Sequence, residues 1–75
     1  MKKIFITGGG GYVGARLVPY LLQKNYQITV YDNFYFGNKL KKNKNLKLIY
    51  GDIRNTSKLK KSCNNHEVFI HLACI

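Results

Sequence analysis

Residues 6–18 read ITGGGGYVGARLV. A short apolar run, Ile4 to Ile6, leads into Thr7, and four glycines follow, Gly8 to Gly11. Gly14 comes three residues later, and an apolar stripe begins behind it. Glycine has the most backbone freedom to lose on folding, so a run of it needs a reason. The flanking patterns supply one. The unbroken apolar run reads as a buried strand, and Val13, Leu17, Val18, Leu21 and Leu22 fall on one face of a helix. Strand, glycine turn and helix N-terminus together make a phosphate-binding device. The first N–H groups of the helix carry partial positive charge, and a missing Cβ lets backbone approach a diphosphate.

The spacing sharpens this. Gly9-x-Gly11-x-x-Gly14 fits the dinucleotide fingerprint, and Gly8-x-x-Gly11-x-x-Gly14 fits a variant of it. Gly11 and Gly14 belong to both. Gly11 is assigned to close phosphate approach and Gly14 to close packing of helix on strand. A second strand, Gln27 to Asp32, ends in an acid about 20 residues further on, where the fingerprint has one. A carboxylate there accepts the hydroxyl protons of an adenosine ribose and repels a 2′-phosphate, so Asp32 predicts NAD over NADP. Arg16, close behind Gly14, argues weakly the other way. A P-loop would need Gly-Lys-Ser/Thr where this chain has Gly14-Ala15-Arg16. A methyltransferase would carry an acid just before the glycines, where this chain has Thr7.

The remaining elements follow in alternation. The spacing predicts strands over Lys2–Thr7, Gln27–Asp32, Leu46–Tyr50 and Glu67–Leu72, the last apolar on both faces. The first helix runs from Tyr12 to Lys24, with a kink or an early tight turn at Pro19 and Asn25 as its stop. Residues 33–45 read as a loop or a weak helix. Asn55 or Thr56 caps a short helix reaching Cys63. Such alternation implies an α/β chain with a parallel sheet and crossover helices.

Composition narrows the class. The 75 residues make one domain at most, 45% hydrophobic and 13% aromatic, too apolar for a disordered tail. No apolar stretch approaches the roughly 18 residues a membrane span needs, and the start lacks a signal peptide. Cys63 and Cys74 lack metal or redox spacing and read as reduced thiols of a cytoplasmic protein. The formal charge is +10, from 13 Lys and Arg against 3 Asp and Glu. That excess attracts anions; Lys, Asn and Ile also share A/T-rich codons, so genome bias is the alternative reading of it.

At this point a family resemblance emerges. Thr7-Gly8-Gly9-Gly10-Gly11-Tyr12-Val13-Gly14 resembles the TGxxGxxG motif of the extended short-chain dehydrogenase/reductases, the sugar-nucleotide epimerases and dehydratases. Asp32-Asn33-Phe34 resembles their acidic strand end, Gly51-Asp52-Ile53-Arg54 their GDIR element, and Ile70-His71-Leu72-Ala73 their HLAA segment. The resemblance implies a Rossmann-type doubly wound parallel sheet, of which only the first half, about four strands, is present. It implies a bound NAD and hydride transfer on a nucleotide sugar. The cofactor-binding positions it implies are Gly8, Gly11, Tyr12, Val13, Gly14, Asp32, Asn33, Asp52, Ile53, Leu72 and Ala73. Asp52 and the residue after it would meet the adenine, and the backbone near Ala73 would pass the cofactor. Cys74 departs from the small residue usual there.

The family's catalytic Tyr-x-x-x-Lys pair follows the fourth strand, and this sequence stops at Ile75. Two other matches occur, Tyr20 to Lys24 and Tyr35 to Lys39, the first on the first helix and the second in the loop after Asp32. Neither is assigned catalysis, and no metal ligand is assigned to His66 or His71. The expectation is therefore residues 1–75 of an NAD-binding domain whose remainder and substrate part are absent, inactive alone. Its parent enzyme takes a nucleotide-sugar substrate, with a homodimer left open. A non-catalytic NAD(P) sensor remains an alternative. So does a nucleic-acid binder built on Lys39 to Lys47 beside Phe34, Tyr35 and Phe36.

Overall fold

The computed structural model describes residues 2–35 and 37–72. Four strands and two helices alternate along it: β1 (Lys3–Thr7), α1 (Tyr12–Gln23), β2 (Gln27–Asp32), β3 (Leu46–Tyr50), α2 (Thr56–Ser62) and β4 (Val68–His71). All pairings are parallel, and the sheet order is β3-β2-β1-β4. The winding thus moves outward from β1 through β2 to β3, then returns to the other side of β1. That reversal opens a crevice at the C-terminal ends of β1 and β4, where open α/β sheets bind ligands.

One face of the sheet carries the core. Ile4, Ile6, Ile28 and Val30 alternate inward and meet Val18 of α1. Leu21 and Leu22 of α1, Leu46 and Leu48 of β3, and Val68 and Ile70 of β4 pack around them. Full burial of Val18 contributes roughly 1.5–3 kcal/mol. On the opposite face Phe5 gathers three rings, Tyr31 at 6.0 Å, His66 at 5.2 Å and Phe69 at 6.3 Å between centroids.

Two expectations need correction. Pro19 makes no early tight turn: the helix continues through it to Gln23, with Lys24 as its C-cap. Pro19 cannot donate to the Ala15 carbonyl, but it lies on the exposed side of the helix, where water can take that acceptor. Val13 leaves the apolar stripe and is 58% exposed, whereas its neighbour Gly14 is the residue of the first turn that α1 buries, against Gly9. β4 is apolar on both faces, as expected: Val68 and Ile70 pack on the core, and Phe69, 59% exposed, lies on the other face beside Phe5. Between β2 and β3 the described residues form a loop without helix, and Leu40 pins it to the core. Asn55 caps α2, its side-chain oxygen accepting from the Lys58 N–H at 3.2 Å. Lys58 also reaches back to donate to the Tyr50 carbonyl at the end of β3.

Candidate functional site

A groove of about 480 Å³ lies across the C-terminal ends of the strands. The glycine turn forms one bank. The ends of β2 and β3 form the other, and Leu72 stands at its end.

The turn is built by exclusion. Gly8 adopts φ +75°, a left-handed conformation that side chains disfavour. Its N–H donates to the Tyr31 carbonyl at 2.9 Å, and its own carbonyl accepts from Gly11 at 3.2 Å. A Cβ on Gly14 would lie 2.0 Å from the Gly9 carbonyl oxygen, so this glycine lets α1 seat against the turn. Gly11 is different. A Cβ there would meet nothing nearer than the Gly8 oxygen at 3.5 Å, an ordinary contact. The protein alone has room for a side chain at Gly11, and the space is kept on the groove side. Gly11 is also the N-cap of α1; no side chain caps this helix, and no acid stands in its first turn. Its dipole is therefore left for an anionic ligand.

Asp32 closes the far bank. Its Oδ2 accepts from the Gly10 N–H at 2.8 Å and its Oδ1 from the Phe34 N–H at 2.9 Å. The carboxylate thus joins the glycine turn to the end of β2, and each oxygen keeps a lone pair for a further donor. Phe34 packs beneath, with its ring 4.4 Å from that of Tyr50 and so close to Gly10 that a Cβ there would clash at 2.6 Å.

Asp52 and Arg54 form the rim. The guanidinium grips both carboxylate oxygens, Nη2 to Oδ2 at 2.7 Å and Nε to Oδ1 at 3.1 Å, while the Arg54 N–H donates to Oδ1 at 2.8 Å. These side-chain bonds, then the backbone bond, hold the Asp52 carboxyl down at about 2 against its ordinary 3.8. A carboxyl lowered by folding adds stability above its unfolded value. That contribution is lost as pH falls from 3.8 to about 2. In Arg54→Gln the Asp52 carboxyl, followed by NMR, is expected to titrate above its wild-type position yet still below its ordinary 3.8, because the bond from the backbone N–H of residue 54 remains. Titration still near 2 would show that Arg54 is not the cause.

Of the positions expected to bind cofactor, Gly8, Gly11, Asp32, Asn33, Asp52, Ile53 and Leu72 line the groove. Gly14 lies behind it, supporting the turn. Tyr12 and Val13 do not line it: their side chains point outward, 73% and 58% exposed, and Arg16 lies over the Tyr12 ring at 5.6 Å. Ala73 lies outside the described residues, as does Cys74. Tyr20 and Lys24 stack on the outer surface of α1 at 5.3 Å, away from the groove. Tyr35 lines it, but Lys39 does not. His66 bridges Thr29, at 2.8 Å from Nε2, and the Asn64 carbonyl, at 2.9 Å from Nδ1. His71 meets the buried Thr7 hydroxyl at 2.5 Å. No metal-holding group of His, Cys, Asp and Glu occurs among the described residues. The sequence reading assigned no cofactor role to Gly10, Phe34, Gly51 and Arg54, which line the groove, nor to Tyr31. Tyr31 lines the groove while fully buried, and its one sequence signal is Gly51, which follows the neighbouring strand.

Parallel order, glycine turn and acidic strand end define a nucleotide-binding half-sheet of the doubly wound class. The chain belongs to the NAD dependent epimerase/dehydratase family, whose pattern matches residues 4–75. It is 32% identical to a UDP-N-acetyl-alpha-D-glucosaminuronate decarboxylase of Bacillus cytotoxicus, over 99% of this chain and 24% of the relative. It is 34% identical to a UDP-glucose 4-epimerase of Corynebacterium glutamicum, over 95% of this chain and 22% of the relative. Among solved structures, the Bordetella bronchiseptica enzyme WbmH in complex with NAD+ superposes with TM-score 0.89 at 29% identity, over 100% of this chain and 26% of that one. WbmG of the same organism, in complex with NAD and UDP, gives 0.86 at 29% identity, over 96% and 24%. The chain thus spans about a quarter of the length of the relatives it matches.

Proposed function

We propose that this chain is the N-terminal NAD-binding part of an enzyme that acts on a nucleotide sugar by hydride transfer. The observation that carries the reading is the space at Gly11. It faces an uncapped helix N-terminus on one side and Asp32, with lone pairs to spare, on the other. The bank from Gly8 to Gly11 suits a diphosphate, Asp32 suits a ribose diol, and the Asp52–Arg54 rim suits the base beyond it. NAD, when bound, supplies the hydride acceptor. This chain holds and orients it, and the groups that move the substrate proton belong to the parent protein. The names of the relatives support a UDP-sugar as substrate. The free thiol of Cys63 suits a reducing, cytoplasmic setting, and no helix among the described residues is long and apolar enough to cross a membrane.

Titration calorimetry of the intact native protein tests this. NAD is expected to bind saturably and at least about tenfold more tightly than NADP, because Asp32 repels a 2′-phosphate. Absent NAD binding would overturn the reading. Tighter NADP binding would overturn the role given to Asp32. The 75-residue chain alone is expected to turn over no nucleotide sugar.

A further inference from the structure

The wall of the groove between β3 and α2, residues 51–54, has little under it. β3 is an edge strand, and α2 has no buried residue. Most bonds of this segment are local: Asn55 N–H to the Asp52 carbonyl at 2.9 Å, and Arg54 to the Asp52 carboxylate. Two bonds come from the sheet, and both come from β2. The Gly51 N–H donates to the Asp32 carbonyl at 3.0 Å. The Tyr31 hydroxyl donates to the Asp52 carbonyl at 2.8 Å.

Tyr31 is built into this position. Its side chain is fully buried, with the ring against Phe5. A Cβ on Gly51 would lie 2.5 Å from the Tyr31 Cζ and Oη, so the wall closes down on the phenol only because residue 51 is glycine. The hydroxyl has a partner that a phenylalanine would leave with one donor fewer. All of the Asp52 carboxylate contacts among the described residues run to Arg54, so the backbone of this wall, and not that carboxylate alone, is what faces a ligand.

We propose that Tyr31 is a positioning residue. From inside the sheet its hydroxyl fixes the backbone of residues 51–53 as the surface that receives the adenine end of the cofactor. This rests on the NAD reading above. It makes a specific demand: loss of the hydroxyl should harm recognition of the adenosine half and spare the nicotinamide half.

The test is titration of the intact native protein and its Tyr31→Phe variant with NAD, AMP and nicotinamide mononucleotide, together with amide hydrogen exchange over residues 51–54. Removing one hydrogen bond is expected to raise Kd for NAD and for AMP roughly 3- to 10-fold. Kd for nicotinamide mononucleotide is expected to stay unchanged, and exchange at residues 52–54 to quicken by a similar factor. Equal weakening of all three ligands would mean general loss of structure and would overturn the proposal. So would unchanged NAD and AMP affinity, or unchanged exchange. Wild-type protein that binds none of the three would overturn the NAD reading itself, and the role of Tyr31 with it.

Discussion

Replacing Gly14 with alanine is expected to destabilise the protein by roughly 3 kcal/mol, although the position is helical. Helix propensity alone argues the opposite, since alanine is favoured over glycine by about 1 kcal/mol in a helix interior. Geometry decides the sign. The new Cβ would fall 2.0 Å from the Gly9 carbonyl oxygen, 2.3 Å from its carbon and 2.4 Å from its Cα. These are backbone atoms, which cannot rotate aside as a side chain would. Either α1 lifts from the turn or the turn leaves β1, and both expose the core around Val18. Small domains have only about 5–15 kcal/mol in hand. Urea denaturation of the intact protein reads the effect directly, and a Gly14→Ala variant as stable as wild type would refute it. Gly11→Ala provides the contrast. Its Cβ clears the protein at 3.5 Å, so stability should change by less than about 1 kcal/mol while NAD binding is lost. One glycine serves the fold and the other the ligand, and the pair of variants separates them.

Asp32→Ala is expected to weaken NAD binding at least about 100-fold. Hydrogen bonds to a charged group contribute roughly 1.5–3 kcal/mol each, and a ribose diol can make two. A further loss comes from the protein itself. Without the carboxylate, the Gly10 and Phe34 N–H groups lose their acceptor, and the glycine turn loses its tie to the end of β2. Asp32→Asn tests this second contribution. Its single amide oxygen can serve one of the two N–H groups but not both with full strength, so its NAD affinity should fall between those of wild type and Asp32→Ala. Calorimetry on both variants measures it. An Asp32→Asn protein that binds NAD as wild type does would show that the negative charge is unneeded.

These two residues also mark what a sequence can disclose. β2 and β3 lie at the bounds that their apolar runs predict, and Asn55 caps α2 as its position before the helix suggests. Strand and cap signals are local, carried by neighbours in the chain. The glycine turn and Asp32 are legible for a related reason, since their chemistry needs fixed residue types at fixed spacing. The tie from Asp32 to Gly10 is not legible, nor is the seat of Tyr31 under Gly51. Both depend on parallel register, which sets Tyr31 beside Ile49 and Asp32 beside Tyr50. Tyr12 and Val13 show the converse. They sit inside a motif, yet their side chains face solvent, because the motif positions backbone there.

The place of β1 between β2 and β4 has a consequence for synthesis. Thr7 meets its partner His71 across 64 residues of chain. At roughly 5–20 residues per second, a ribosome needs from about 3 to about 13 s to deliver the second after the first. For that interval one side of the central strand has nothing to pair with, and Ile4 and Ile6 wait beside it. Parallel ladders of this kind form late and slowly. The nascent protein therefore carries a risk of misassociation until β4 is made, and chaperone capture at that stage would shield an edge of β1 that β4 conceals.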